Sequence, residues 1–155
     1  MPSSFSSTEI ADRVNISEQL FRYCYFFDSN NTQGLRSLFT DDAVVDYGPE
    51  VPSLVGIENI MASISKGLTN TFVATSHHLS NVIIELNSAD TAQATSYVYA
   101  WHKYYAKPEI GFLWGQYSHS LRRVDDEWKI SSLTLRAVAT ENFHRGTMHP
   151  VFRAT

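Results

Sequence analysis

The apolar stripe of the N-terminal segment continues into a carboxylate. Leu20, Cys24 and Asp28 are spaced four residues apart, which places them on one face of a helix. The spacing predicts a helix from about Thr8 or Glu9 to Asp28, after which a polar stretch interrupts the pattern. A leucine would be expected at the last position of such a stripe. Asp28 is therefore predicted to point inward.

The remaining patterns predict helices first and a meander of strands afterwards. A short helix is predicted over 33–39, a strand over 43–47 and a third helix over 56–67, because polar or glycine-containing breaks separate these apolar patterns. Four long strand-like runs follow at 71–86, 91–105, 111–123 and 127–138. Helices followed by long antiparallel strands predict an α+β domain, in which a curved sheet wraps around the helices.

The chain is predicted to form one domain over residues 1–155, a length that can bury a substantial core. Residues 1–8 are expected to be a flexible N-terminus, and residues 142–155 an irregular tail or a lid. His144 and His149 lie in that tail, where exposure to solvent is the default expectation.

Charge and cysteine content narrow the choice of partners. The formal net charge is −4 and lysines and arginines do not cluster, which argues against a nucleic-acid or anionic-membrane surface. A small molecule or further copies of the chain are the expected partners.

The lone cysteine, Cys24, excludes an internal disulfide and fits a reducing compartment, so a cytoplasmic location is expected. The chain shows neither a secretory-signal pattern nor an apolar run of about 20 residues, the length that spans a bilayer.

Asp28 needs a partner that offsets its loss of hydration. A histidine would turn the carboxylate into a proton-transfer device, and two adjacent histidines, His77 and His78, lie on the first long predicted strand. Neighbouring side chains on a strand face opposite sides, so one of the two is expected to face inward. The alternatives are that Asp28 caps a neighbouring backbone or pairs with Arg22 or Arg136.

The order of elements, the phrase Leu38-Phe-Thr-Asp-Asp-Ala43 and a tryptophan at the last turn, Trp128, resemble the nuclear-transport-factor-2-like superfamily. More narrowly, the chain resembles the polyketide-cyclase-like (SnoaL-like) branch, which includes scytalone dehydratase, hexachlorocyclohexane dehydrochlorinase and bile-acid 7α-dehydratase. The resemblance implies a cone-shaped α+β barrel with N-terminal helices packed in a curved, mostly antiparallel sheet. It also implies an Asp–His catalytic dyad in the pocket, which falls on Asp28 and His77.

The same resemblance implies catalytic tyrosines. The pocket tyrosine of the Asp-Tyr pair on the short strand falls on Tyr47, which follows Asp46. A tyrosine five residues before the catalytic aspartate of the bile-acid enzyme falls on Tyr23. In an ideal helix that spacing turns the two side chains well apart, so Tyr25, three residues before Asp28, meets the geometry better as a substrate-binding residue.

Four further residues are candidates for substrate binding. His102 is the counterpart of a second histidine on the next strand, although the alternation over 97–102 does not say which face looks inward. Arg136 on the last strand can bind an anionic or carbonyl group. Ser118 and Asn81 are further polar candidates on the strands.

A carboxylate-supported imidazole can remove a proton from an acidic C–H, and elimination follows if a hydroxide or halide leaves from the adjacent carbon. The leading hypothesis is a cofactor-independent lyase, a dehydratase for a hydrophobic cyclic polyketide-, terpenoid- or steroid-like substrate. A cyclase or isomerase with the same dyad is an alternative, as is a non-catalytic ligand-binding or oligomerisation module such as a dioxygenase small subunit.

No phosphate loop and no metal-ligand spacing occur, so neither a cofactor nor a metal is expected. A homodimer or homotrimer is expected from the resemblance.

Overall fold

Three helices precede most of the sheet in the computed structural model, which describes residues 4–152. The helices are α1 (Ser7–Asp28), α2 (Thr32–Ser37) and α3 (Ile57–Asn70). The predicted flexible N-terminus and irregular tail include 1–3 and 153–155, which lie outside the described residues. Between residues 4 and 152, no helix combines the length and the apolar character needed to cross a membrane.

A capping box defines the start of α1. The Ser6 hydroxyl accepts a hydrogen bond from the Glu9 backbone N–H at 3.2 Å, and the Glu9 carboxylate accepts one from the Ser6 N–H at 2.8 Å. These bonds satisfy amide groups that the helix itself leaves unpaired. α1 therefore begins at Ser7, just before the predicted start, and it ends at Asp28 as predicted.

The sheet is curved and does not close. Its strands are β1 (Phe39–Asp46), β2 (Leu54–Val55), β3 (Phe72–Leu86), β4 (Thr91–Tyr104), β5 (Gly111–Val124), β6 (Glu127–Glu141) and β7 (His149–Pro150). The order is β2-β1-β6-β5-β4-β3, with β7 paired to β6. β3 to β6 form an antiparallel meander, and β1 joins β6 in parallel. The predicted α+β fold is confirmed, with a curved open sheet in place of a closed barrel.

Several observed boundaries differ from the predicted ones, and two of the shifts reflect pairing between strands. Phe39 was placed at the end of the second helix, but it begins β1, where it pairs with Ile130 of β6. The last long strand was predicted to end at Val138, but it continues to Glu141, which pairs with Phe112 of β5. Hydrogen bonding to a neighbouring strand outweighs local preference in both segments.

Small side chains on β4 make room for α1 against the sheet. Ala94, Ala100 and the residues in phase with them face inward and are buried, whereas Tyr97 and Tyr99 face outward with 46% and 37% of their surface exposed. Tyr97 and Tyr99 therefore cover the outer face, whereas Tyr104 at the end of the strand is buried. The inward phase also includes His102, which is 4% exposed, so the alternation that the sequence left open places this histidine inside.

The other end of α1 is fixed by a buried carboxylate. Asp12 accepts hydrogen bonds from the Trp128 indole N–H at 3.0 Å and from the Arg123 guanidinium at 2.7 Å. The bond from Arg123, followed by that from Trp128, holds the pKa of Asp12 below its usual value. This contact ties the first half of α1 to the β5–β6 turn and so fixes the direction in which its last residue reaches the sheet.

Candidate active site

Asp28 and His77 are in direct contact where α1 meets β3. One carboxylate oxygen of Asp28, Oδ1, lies 2.6 Å from His77 Nδ1 and accepts a hydrogen bond from the Thr75 hydroxyl at 2.7 Å. The other, Oδ2, accepts the His77 backbone N–H at 2.7 Å. Arg22 instead pairs with Glu18 at 2.8 Å. The structure thus places the predicted inward carboxylate on the predicted histidine rather than on an arginine.

The environment of Asp28 favours its ionised form. Burial acts to raise its pKa, but the hydrogen bonds from His77 and Thr75 outweigh burial and hold the pKa below its usual value. An ionised carboxylate only accepts hydrogen bonds, so the proton of the neutral imidazole lies on Nδ1. The Nε2 atom of His77 therefore carries the free lone pair. His78, the next residue, faces outward and packs on Tyr99 with 6.1 Å between ring centroids.

A cavity of about 220 Å³ lies beside the His77 ring. Its walls come from α1, α3, the inner face of the sheet and the segment that follows β6. The lining residues are Tyr23, Phe27, Tyr47, Ser63, Ile64, Lys66, Gly67, Thr71, Phe72, His77, His102, Tyr117, Leu135, Phe143, His144 and Arg145. Aromatic and aliphatic side chains surround a few polar groups, which is the usual character of a small-molecule site.

His102 stands next to His77 in this cavity. The two rings meet edge to face, with 5.3 Å between centroids and an interplanar angle of 88°. Burial, reinforced by the neighbouring His77, lowers the pKa of His102 to about 3. His102 is therefore neutral at physiological pH. Its Nδ1 atom is buried and has no hydrogen-bond partner among residues 4–152.

Two tyrosine hydroxyls meet on the cavity wall. Tyr23 from α1 and Tyr47 from the end of β1 lie 2.7 Å apart, oxygen to oxygen. Burial raises the pKa of Tyr47 to about 12 and that of Tyr23 well above its usual value. Both phenols therefore stay protonated at neutral pH. Because one hydroxyl donates to the other, the pair has one O–H hydrogen left to donate to a ligand. The ring of Tyr117 packs edge-on against Tyr23 at 5.8 Å and extends this wall.

Tyr25 was wrongly preferred to Tyr23 as a residue facing the site. Tyr25 is 68% exposed, whereas Tyr23 is 2% exposed. The buried stripe of α1 is centred on Leu20, Tyr23 and Cys24, and Asp28 lies at its edge. A residue three positions before Asp28 therefore falls outside the stripe, and the long side chain of Tyr23 reaches the cavity from within it.

Three other predicted substrate-binding residues do not line the cavity. Arg136 points to the C-terminal segment, where its guanidinium lies 3.4 Å from the Pro150 carbonyl oxygen and 5.3 Å from the Phe152 ring centroid. Ser118 is out of phase with its buried neighbours on β5 and belongs to the outer face. Asn81 is exposed at an irregularity of β3, with φ of 51°. Arg136 and Ser118 are out of phase with the buried residues of their strands, and Asn81 lies at a bulge. These features explain why the three predictions were wrong.

The segment after β6 supplies residues that sequence reasoning missed. Phe143, His144 and Arg145 line the cavity, and the Phe143 ring lies 5.2 Å from the His102 ring. His144 is exposed to solvent, as expected for the tail, and also lines the cavity. An aromatic pair within a polar tail was the only local signal, because this segment has no helical or strand periodicity. Within residues 4–152, no three His, Cys, Asp or Glu side chains are grouped as a metal site.

Residues 8–134 match the family model of the SnoaL-like domain. The chain belongs to this family. A protein of Novosphingobium aromaticivorans, provisionally named a scytalone dehydratase, is 31% identical, with a TM-score of 0.90 over 97% of this chain and 100% of the other. These matches confirm the resemblance inferred from the sequence.

More distant structures share the fold. The type-3 LinA hexachlorocyclohexane dehydrochlorinase of Novosphingobium barchaimii is 20% identical, with a TM-score of 0.80 over 94% of this chain and 98% of the other. A type-2 LinA is also 20% identical, with a TM-score of 0.81 over 92% of this chain and 96% of the other. Among proteins with curated descriptions, none matches the chain.

Proposed function

We propose that the protein is a cofactor-independent lyase, a dehydratase that removes water from a hydrophobic cyclic carbonyl compound. The observation that carries the proposal is the 2.6 Å contact between Asp28 and His77 beside an aromatic cavity. Membership of the SnoaL-like family and the likeness to a protein named as a scytalone dehydratase support an enzyme that converts a small molecule. Acid–base elimination requires only the groups that this cavity offers.

His77 acts as the base in this proposal. Its Nε2 atom takes a proton from the carbon next to the substrate carbonyl, and the C–H electron pair becomes the new C=C bond. Asp28 stabilises the imidazolium that forms and keeps the ring in one orientation. The hydroxyl on the adjacent carbon leaves with its bonding pair and takes up the proton that His77 removed, so that the products are an unsaturated carbonyl compound and water, and the imidazole is neutral again.

The tyrosine pair stabilises the charge that develops on the substrate. As the proton leaves, negative charge builds up on the carbonyl oxygen, and a hydrogen bond from a protonated phenol is strongest at that stage. Tyr47 and Tyr23 keep their protons at neutral pH and lie on the cavity wall. Removing one such donor typically lowers kcat by about 10²–10³. Tyr47→Phe is expected to lose activity in this range.

The cavity wall favours an apolar ring system. Phe27, Phe72 and Phe143 line it, and Phe27 and Phe72 pack against each other with 6.4 Å between ring centroids. Burying aromatic and aliphatic substrate surface here contributes about 25 cal/mol per Å² to binding. Water is also excluded from the imidazole, which strengthens its interaction with the carboxylate.

Variants of the dyad test the proposal. Asp28→Asn and His77→Gln are assayed with a panel of cyclic β-hydroxy ketones by following the absorbance of the conjugated product. Both variants are expected to lose at least about 10²-fold in kcat while keeping the wild-type circular dichroism spectrum. His78→Gln is the matched control, since it changes an adjacent histidine on the outer face. Full activity in both dyad variants would reject the mechanism.

Product analysis separates elimination from the alternatives that use the same base. Loss of one water molecule from the substrate identifies a dehydratase, whereas an unchanged mass identifies a cyclase or an isomerase. Proton abstraction is common to all three, so a substrate deuterated at the α-carbon is expected to react more slowly in each. Ligand binding without any product in wild type would indicate a non-catalytic binding module.

A further inference from the structure

The cavity carries a charge opposite to that of the whole molecule. The formal net charge of the chain is −4. Two cationic side chains nevertheless line the cavity, Lys66 from the last turns of α3 and Arg145 from the segment after β6. None of the lining residues carries a carboxylate, and Asp28 lies behind His77. Positive potential is therefore concentrated where a ligand would enter.

Neither cation is neutralised within the part of the chain that the structure describes. Over residues 4–152, no carboxylate oxygen lies within 4.0 Å of the Lys66 ammonium or the Arg145 guanidinium, whereas Arg22, Arg36, Arg122 and Arg123 each pair with an acidic side chain. Lys66 is exposed and Arg145 is half-buried, so the Arg145 guanidinium gains more of the two from a counter-charge in the cavity. A ligand could supply that charge.

The charge of Arg145 reaches the tyrosine pair. Burial raises the pKa of Tyr47 to about 12, while the hydrogen bond to Tyr23 and the positive charge of Arg145 act in the opposite direction. Arg145 is thus close enough to Tyr47 to affect its ionisation. An anionic group held by Arg145 would lie next to the phenols and within the same cavity as His77.

We propose that the substrate carries an anionic group, most simply a carboxylate, which Arg145 and Lys66 hold while its ring system packs among the phenylalanines. The inference rests on the proposed function, because it names the substrate class for the same site. A guanidinium can bind both oxygens of a carboxylate through two parallel hydrogen bonds, and an ammonium adds a point charge. Arg145 is accordingly the main specificity-determining residue and Lys66 the weaker one.

Two probes of the same shape test the charge preference. 2-Naphthoate and 2-naphthamide differ in charge but have similar ring systems, and their affinities are measured by NMR titration of the wild-type protein. The naphthoate is expected to bind roughly tenfold more tightly. Arg145→Gln is expected to reduce that preference by about four- to fivefold and Lys66→Gln by about twofold. Arg145→Lys is expected to retain part of it.

Lys103→Gln is the matched control, because it removes the same charge from an exposed position of β4 outside the cavity. It is expected to leave both affinities unchanged. Equal affinity for the two probes in wild type would overturn the inference, as would a full preference in the double variant Arg145→Gln/Lys66→Gln with a native circular dichroism spectrum.

Probe binding requires no turnover, so the two proposals can fail separately. A preference for the naphthoate in a protein that shows no elimination would support the anion site and reject the lyase. Elimination by a protein that binds both probes equally would support the lyase and reject the anionic substrate.

Discussion

The Nε2 atom of His149 lies 3.0 Å from Oδ2 of Asp46, which joins the C-terminal strand to the end of β1. Asp46 directly precedes Tyr47, and it also accepts a hydrogen bond from the Gly48 N–H at 2.9 Å. The Glu50 carboxylate also accepts a hydrogen bond from the Thr147 N–H at 2.6 Å. Two contacts therefore hold residues 147–149 against the end of β1 and the loop that follows it. The segment that carries Phe143 and Arg145 is therefore fixed at its far end to the end of β1, next to Tyr47.

Loss of the His149 contact is expected to loosen this segment without disturbing the dyad. His149→Gln should speed amide hydrogen exchange over 147–151, where the Val151 N–H bonds to the Ala137 carbonyl at 3.2 Å. Substrate KM should rise more than kcat falls, because the segment lines the cavity but does not remove the proton. His78→Gln serves as the control. Unchanged exchange over 147–151 would show that the contact does not restrain the segment.

Asp28 is expected to contribute to stability as well as to chemistry. Its hydrogen bonds lower its pKa despite burial, so the folded protein binds this proton less readily than the unfolded chain. The resulting stabilisation is present above the usual pKa of 3.8 and is lost as the pH falls through the lowered value. Asp28→Asn should lower the free energy of unfolding by roughly 1–3 kcal/mol at pH 7.

The difference between wild type and Asp28→Asn should shrink in acid, as measured by urea denaturation at a series of pH values. Asp41→Asn, which changes an exposed carboxylate on β1, is the control and should have little effect at either pH. A constant difference across the acid range would show that ionisation of Asp28 does not contribute.

Replacement of two glycines by alanine is expected to change the stability of the fold in opposite directions. A Cβ at Gly115 would lie 2.2 Å from the Arg136 carbonyl oxygen, a backbone atom that cannot move without disturbing β6. Gly115→Ala should destabilise the fold by roughly 1–3 kcal/mol. A Cβ at Gly67 in α3 would lie 3.4 Å from Phe72, an ordinary contact, so Gly67→Ala should stabilise the helix by about 0.5–1 kcal/mol. Thermal unfolding of the two variants tests this contrast, and similar shifts in both would contradict it.

The periodicity of apolar residues in the sequence predicted the regular secondary structure. α1 and the four long strands follow directly from the spacing of apolar residues, and the inward position of Asp28 follows from the same spacing. Strand alternation predicted only that one of His77 and His78 faces inward. The resemblance assigned that position to His77 and paired it with Asp28. Whether they catalyse a reaction stays a prediction.

The part of the cavity wall that the segment after β6 forms could not be predicted in the same way. Phe143 and Arg145 lie in an irregular segment whose course is set by contacts such as that between His149 and Asp46, which are distant in sequence. Arg136 was predicted to face a ligand from its place on the last strand alone. The buried Leu133 and Leu135 set the inward phase of β6, so the side chain of Arg136 faces outward.

The buried His119 is expected to make the fold less stable in acid. This effect does not depend on the candidate active site. The side chain is buried in the core, and neither ring nitrogen has a hydrogen-bond partner within residues 4–152. Burial lowers the pKa of His119 from 6.5 to about 3. Between these values the unfolded chain binds a proton that the folded protein does not, so stability falls as the pH drops below about 6.5 and continues to fall towards about 3.

Replacing this imidazole with an apolar side chain should therefore protect the fold in acid. At pH 7 His119→Leu should change the free energy of unfolding by no more than about 1 kcal/mol, because it removes an unpaired polar group and fills a similar volume. At pH 4.5 the variant should be roughly 2–3 kcal/mol more stable than wild type. Urea denaturation at the two pH values measures the difference. His78→Leu, which removes an exposed histidine, should follow the wild-type pH dependence. If His119→Leu followed it as well, protonation of His119 would not be what destabilises the fold in acid.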